Sequence, residues 1–309
     1  MLRLLPDIDD LDGMRRILVA GRMACSPTYY IHPGDLDWWL FYLDQDWRDR
    51  IHILENDLDG RLLGWVLFSP RFNAFDVFVD PDPVCQAQRL ELFTWAAEQM
   101  AGRIQASGRL VVRTMWISEH DVQLIAHLES RGFKRDEYHM IYLEQSLTGP
   151  ISQPQLPQNY RLRHVAGEHE AELRARASHA TFQSPKPFAQ YLAGYRRFMR
   201  SPAYALDRDL VVEAPDGQFA AFCIFWLDDV NRVGYFEPVG VHPDFRRQGL
   251  GTALIQEGLR QMKERGMGVA SVCVESDNPS AQKFYESVGF GQVHRIFTYQ
   301  KENCGTLVA

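Results

Sequence analysis

The chain has 309 residues, a length that predicts about two domains. Hydrophobic residues make up 46% and charged residues 24%, which predicts an ordinary globular core in each half, and a net charge of −7 gives nucleic acid no electrostatic foothold. Cys25, Cys85, Cys223, Cys273 and Cys304 show no CxxC spacing and no companion histidine cluster, which argues against a disulfide framework and against a metal site.

The N-terminal segment carries Pro6, Asp7, Asp9, Asp10 and Asp12 rather than a basic and then apolar leader. The apolar run Phe219–Leu227 is too short to span a bilayer. The expectation is a cytoplasmic protein without a membrane partner. Cys223 and Cys273 lie in apolar runs and read as small buried hydrophobes.

Two similar halves follow one another. Each opens with a strand-like run, Leu2–Leu5 and Tyr160–Val165, and continues with helix-prone sequence. Each then reaches a hairpin signal between β-prone runs, Asp59-Gly60 and Asp216-Gly217. An extended run ending in proline comes next, through Asp80-Pro81 and His242-Pro243, then a helix, a strand and a short helix closing at Gly132-Phe133 or Gly289-Phe290. The Asp-Gly pairs and the Gly-Phe pairs are both 157 residues apart, and the Xaa-Pro pairs 162 apart, so a tandem duplication is predicted. Between the halves, residues 148–158 are rich in Pro, Gly, Ser and Gln and read as a linker. The predicted organisation is a first domain over residues 1–147, a second over 159–300 and a tail over 301–309.

The first half is rich in aromatic residues: Tyr29, Tyr30, Trp38, Trp39, Phe41, Tyr42 and Trp47. They fit a helix packed on a sheet or on the other half, and also an aromatic pocket. In the second half, Ala180–Pro185 falls between two helix-like segments.

Arg246-Arg247-Gln248-Gly249-Leu250-Gly251 stands between a strand-like run ending at Val241 and a helix-like run beginning near Thr252. Glycines allow close backbone approach, and a helix start presents unpaired N–H groups and the positive end of its dipole to an anion. The hexapeptide therefore reads as a pyrophosphate cradle, although the same glycines would also serve a tight turn. It is not a nucleotide-kinase loop, because no Gly-Lys-Ser/Thr follows. The helix after it carries Leu250, Ala253, Leu254 and Met262 on one stripe and stops at Gly266. Further on, Asn278-Pro279 opens the last helix and Gly289 closes it. Asn278, Ala281 and Tyr285 share one face of that helix, placing a small residue and a phenol together. Phe284 and Val288 lie on a neighbouring stripe that anchors the helix.

Arg246, Gly249 and Gly251 match (Arg/Gln)-x-x-Gly-x-(Gly/Ala), and Asn278, Ala281, Tyr285, Gly289 and Phe290 match Asn-x-x-Ala-x-x-x-Tyr-x-x-x-Gly-Phe. On these motifs residues 159–300 resemble the GNAT superfamily of CoA-dependent N-acyltransferases, and residues 1–146 resemble it in layout. The resemblance implies an α+β fold of two tandem GNAT-like domains, each a mixed, mostly antiparallel sheet flanked by helices. It implies a splay between the fourth and fifth strands that takes acetyl-CoA as co-substrate. Val239 and Val241 would pair with the pantetheine arm through backbone groups. The cradle of Arg246, Arg247, Gln248, Gly249, Leu250, Gly251 and Thr252 would take the pyrophosphate. Asn278 and Ala281 would contact the pantetheine portion, and Tyr285 would protonate the departing thiolate. Glu237, on the strand before the cradle, is the candidate base, with Glu275 an outside candidate; His242 reads as a turn residue. The tandem layout also resembles that of members acetylating an amine on a small thiol, a substrate that no residue singled out here establishes.

Laying Asp80-Pro81 on His242-Pro243 sets Val84, Ala87 and Arg89 opposite Arg246, Gly249 and Gly251, and Phe75 opposite Glu237. Asp121 and Leu128 fall opposite Asn278 and Tyr285. The first half is therefore expected to keep the fold and lack the chemistry, stabilising its neighbour or walling the acceptor site. The expected activity is transfer of an acetyl group to the primary amine of a small molecule, by a monomer. A CoA-binding sensor without turnover is the alternative.

Overall fold

The computed structural model of the chain describes residues 2–4, 8–25, 30–42, 48–86, 88–105 and 111–302. Leu5, Tyr29, Trp47, Ala87, Cys304 and the rest of residues 303–309, all named above, lie outside the described residues. The first half runs β1 (Leu2–Leu4), α1 (Ile8–Ala24), α2 (Pro33–Phe41), β2 (Ile51–Glu55), β3 (Leu62–Ser69), β4 (Ala74–Val79), α3 (Pro83–Gln86), α4 (Arg89–Gln105), β5 (Val111–Ser118), α5 (Val122–Ser130) and β6 (Lys134–Ser146). The second half repeats the order. It runs β7 (Arg161–His164), α6 (Ala171–Thr181), α7 (Phe188–Met199), β8 (Asp209–Glu213), β9 (Phe219–Asp228), β10 (Val233–Val241), α8 (Leu250–Glu264), β11 (Val269–Glu275), α9 (Pro279–Ser287) and β12 (Gly291–Glu302). Residues 148–158 contain no helix or strand.

Local chemistry places the landmarks. Gly60 and Gly217 end their hairpin loops at φ 68° and 82°, and Gly132 and Gly289 follow their helices at φ 81° and 105°, all in the region glycine favours. The proposed stripe of α8, Leu250, Ala253, Leu254 and Met262, is buried.

All twelve strands form one sheet, ordered β1-β2-β3-β4-β5-β12-β6-β11-β10-β9-β8-β7. Among the described residues only β4–β5 and β10–β11 pair in parallel. The fold is thus α+β with a mixed, mostly antiparallel sheet, as the resemblance implied. The last strands of the halves are exchanged. β6 pairs with β11, Val269 opposite Ser146 and Glu275 opposite Met140, whereas β12 pairs with β5, Ile296 opposite Ser118 and Glu302 opposite Val111. Ile141, Leu143 and Leu147 accordingly bury in the second half's core beside α8, and Phe297 and Tyr299 in the first half's core beside α4. Each half is completed by the other's strand, and β12 extends to Glu302, two residues into the segment predicted as tail.

Two further contacts join the halves. Arg22 on α1 and Asp228 on β9 form a fully buried ion pair at 3.1 Å, and Asn231 donates to both Asp228 and the Val19 carbonyl. α2 lies on β9 so closely that a Cβ at Gly34 would come within 2.2 Å of the Trp226 ring. Trp38 meets Phe198 of α7 edge-on at 4.8 Å, so part of the aromatic segment does pack on the other half.

Candidate active site

The cradle follows β10. After Val241 the chain turns at His242, whose Nδ1 accepts the Asp244 N–H, so His242 is a turn residue. Arg247 has φ 60° and Gly249 φ 77°, and Gly249 caps α8 without any side-chain cap bond. The backbone N–H groups of Arg247 through Thr252 take no hydrogen-bond acceptor among the described residues. A 15-residue helix therefore presents bare amides and its positive pole to one spot. Arg246 and Arg247 are exposed beside it, and Gln248 accepts from the Tyr160 hydroxyl at 3.0 Å. The two glycines differ in purpose. Gly249 supplies the left-handed conformation, whereas Gly251 lets α8 approach Phe284 and Val241, which a Cβ would meet at 3.3 Å. These residues fit a pyrophosphate: the donors are unpaired, backbone and accessible.

The splay is present. β10 and β11 pair from Val233–Val269 to Phe236–Val272 and no further, while Val239 and Val241 continue to pair with β9. The His242 N–H bonds the Ala220 carbonyl on the β9 side. By strand alternation the backbone groups of Val239 and Val241 point to the opposite, open edge. An extended amide chain fits that edge.

α9 flanks the splay. Asn278 caps it, its side chain accepting the Ala281 N–H at 3.1 Å, which leaves the amide NH2 free to donate. Tyr285 is 6% exposed, held between Phe284 and Phe290 at ring distances of 5.0 and 5.6 Å. Its hydroxyl has no hydrogen-bond partner among the described residues. Burial, then the nearby Glu237 charge, push its pKa above the ordinary phenol value, so it stays protonated.

Glu237 is the first residue of β10 beyond the paired stretch, and it lies in a β-bulge between Phe236 and Val239. Bulges re-aim side chains and recur beside active sites. Trp226 Nε1 fixes its carbonyl at 2.7 Å, but its carboxyl has no hydrogen-bond partner among the described residues. Desolvation, followed by the negative charges of Asp35 and Glu275, raises its pKa to about 8. Glu275 is exposed and accepts from the Tyr138 hydroxyl at 3.1 Å.

Sequence reasoning missed Asp35. It is buried in α2 of the first half, accepts the His32 N–H at 3.0 Å, and is pushed up to about 7 by desolvation. The neighbouring His32 ring stacks on Tyr235 at 5.1 Å. A negative charge on Asp35 opposes ionisation of Glu237. A helix of the first half therefore contributes to the electrostatics of the second half's splay. The only sequence signal was a capping residue in an aromatic helix, which is indistinguishable from a purely structural one.

One expectation is corrected. Phe75 is not the counterpart of Glu237. In the first half the parallel pairing ends at Phe75–Thr114, so Asp76 is the first unpaired residue of the splay. The Xaa-Pro alignment slipped by one because the bulge adds a residue to β10 that β4 lacks. The described residues at the corresponding place in the first half hold a different arrangement. Arg89, opposite Gly251, forms an ion pair with Asp121, opposite Asn278, at 2.5 Å. Their charges satisfy each other where the second half keeps bare amides.

Comparison with known proteins gives the class first. Residues 174–290 match the acetyltransferase (GNAT) family, so the protein is an acyltransferase. The chain is 29% identical to the mycothiol acetyltransferase of Saccharomonospora viridis over 312 residues, covering 95% of each protein. It is 31% identical to N-alpha-acetyltransferase 30 of Schizosaccharomyces pombe over 122 residues, which covers 37% of this chain and 74% of that protein. Among solved structures, the tandem GNAT protein from the clavulanic acid biosynthesis pathway superposes with a TM-score of 0.66 at 14% identity, covering 99% of this chain and 100% of that one. A GCN5-related N-acetyltransferase from Sphaerobacter thermophilus gives 0.65 at 18% identity, covering 98% and 95%. These two share the fold. The chain belongs to the GNAT family of acetyltransferases, in tandem form.

Proposed function

We propose that the second half transfers an acetyl group from acetyl-CoA to the primary amine of a small molecule. The observation that carries this reading is the convergence on one splay of unpaired loop amides, a protonated buried phenol and a carboxyl raised to about 8. The amides of Arg247–Thr252 would hold the pyrophosphate, with Arg246 and Arg247 adding charge. Val239 and Val241 would hold the extended amide arm, and Asn278 and the small Ala281 would bound it. The bound thioester supplies the electrophilic carbonyl.

Glu237 takes one proton from the acceptor ammonium, directly or through water, because an ammonium has no lone pair with which to attack. The freed amine forms the new C–N bond as the C–S bond breaks, Tyr285 donates its proton to the leaving thiolate, and the second proton of the nitrogen passes to the phenolate directly or through water, which restores Tyr285. A carboxyl titrating near 8 suits this work: it is basic enough to compete for an ammonium proton and ionised in a usable fraction. The match with a mycothiol acetyltransferase over both halves favours a small-molecule acceptor over a protein. The first half contributes Asp35 and α2 as a wall on the acceptor side, and the pairing of two like halves within one chain favours a monomer.

Calorimetry tests the reading. Acetyl-CoA should bind the intact protein, and Gly249→Glu should abolish binding by straining a φ of 77° and filling the anion position. An amine panel with detection of free thiol then finds the acceptor. Absence of acetyl-CoA binding to the wild type would refute the function. Binding without turnover on any amine would identify a sensor instead.

A further inference from the structure

The first half has its own splay, and a cavity of about 250 Å³ opens beside it. Trp38, Trp39 and Tyr42 line it from α2 and its C-terminal cap, Trp116 from β5 and Asp76 from β4. The cavity is open to solvent on one side and walled largely by aromatic rings. Its volume lies just below the ~300–1,000 Å³ of sites for drug-sized ligands, which suits a compact molecule.

Two details mark it as built. Asp76 is 3% exposed, and its Oδ1 has no hydrogen-bond partner among the described residues. Buried polar atoms are almost always paired, so an orphaned carboxyl oxygen on a cavity wall calls for a donor. Trp116 has φ 62°. It lies in a bulge of β5, where Met115 and Trp116 together face the single residue Thr298. A bulky aromatic in the left-handed region is an outlier that persists only where its surroundings enforce it. Here the bulge turns the indole toward Trp39, at 5.3 Å between rings and 44° between planes. Aromatic faces attract cations, and a buried carboxylate adds a counter-charge and acceptor. Arg50 also borders the cavity, but it has interactions of its own and does not appear among the influences on Asp76.

We propose that this cavity is a second amine site, which holds a compact organic ammonium between Asp76 and the faces of Trp39 and Trp116. It carries out no acyl transfer, because the Arg89–Asp121 ion pair stands where a phosphate cradle would be. Asp76 occupies in its half the place of Glu237. The first half has thus kept the amine side of a site whose cofactor side is gone. The inference does not depend on turnover in the second half.

The test uses full-length protein carrying Glu237→Gln, so that the second half's carboxylate is out of play. Phenethylammonium is titrated by calorimetry and tryptophan fluorescence, with 2-phenylethanol as its neutral match. Saturable binding of the ammonium is expected, with at least about tenfold weaker binding of the alcohol. Asp76→Asn should weaken the ammonium by at least about tenfold, equivalent to about 1.4 kcal/mol. Ser69→Phe, which fills the cavity from another wall, should remove binding, and it keeps the test intact if the Asp76 variant does not fold. No saturable binding, equal binding of the alcohol, or binding indifferent to Ser69→Phe would each overturn the proposal.

Discussion

Asp76 and Glu237 hold the same position in two copies of one fold: each is the first residue at which its strand parts from a parallel neighbour. Both carboxyls are raised by desolvation, to about 7 and about 8. The neighbours differ. Glu237 lies near the buried phenol of Tyr285, whereas Asp76 shares a cavity with indoles.

Glu237→Gln should lower kcat with a primary amine by about 10²–10⁴-fold, the usual worth of a general base. In the wild type kcat/KM should rise with pH as Glu237 loses its proton near 8, and that limb should vanish in the variant. Initial rates between pH 6 and 10 decide it. An unchanged profile would assign the base elsewhere.

Asp35→Asn isolates the contribution of the first half. Asparagine keeps an oxygen to accept the His32 N–H, so the α2 cap survives. It removes the negative charge that opposes ionisation of Glu237. The midpoint of the rising limb should move to lower pH while the pH-independent plateau changes little. A plateau that collapses with an unmoved midpoint would make Asp35 a structural residue only.

Tyr285→Phe should cut kcat while leaving acetyl-CoA affinity within about twofold, since the ring packing survives and only the proton donor is lost. The deficit should shrink with acyl donors whose leaving thiol is more acidic. A uniform loss across donors would argue against thiolate protonation.

The parts of this site that were legible in the sequence are local. Gly249 and Gly251 declare a helix entry, and Asn278, Ala281 and Tyr285 share a face by spacing alone, so the loop and α9 followed from residues within a few turns of each other. Three features were not legible, each for a physical reason. The exchange of β6 and β12 leaves no pattern, because each half offers the same slot beside its fifth strand. Asp35 reaches Glu237 through tertiary packing of α2 on β9 and β10, with some 200 residues between them. Asp76 was hidden by a single bulge residue in β10, although a lone acid in the wholly buried run Ala74–Val79 was its signal.

The buried pair of Arg22 and Asp228 is one of the contacts that join the halves. Asp228→Ala leaves Arg22 buried without its counter-charge, which costs about 3–5 kcal/mol. The denaturation midpoint should fall accordingly, and the slope should reveal whether the halves unfold separately. Glu172→Ala, which breaks an exposed i,i+4 pair with Arg176, is the control and should scarcely matter. Equal effects would show that the buried pair does not hold the halves together.

Buried acids also set the pH dependence of stability. Asp35 and Asp76 titrate near 7 in the folded chain against a reference of 3.8. Between about pH 4 and 7 the folded state therefore binds protons that the unfolded state has released. Stability should fall with rising pH across that window, by up to about 1.36 kcal/mol per pH unit for each group. Above 7 both states are ionised and this contribution levels off. Asp76→Asn removes one titrating group without changing its shape, so urea midpoints should decline less steeply from pH 4 to 7, and the variant should equal or exceed the wild type near pH 7. A wild-type slope retained in the variant would mean that Asp76 is already ionised when folded, with a cation supplied from elsewhere.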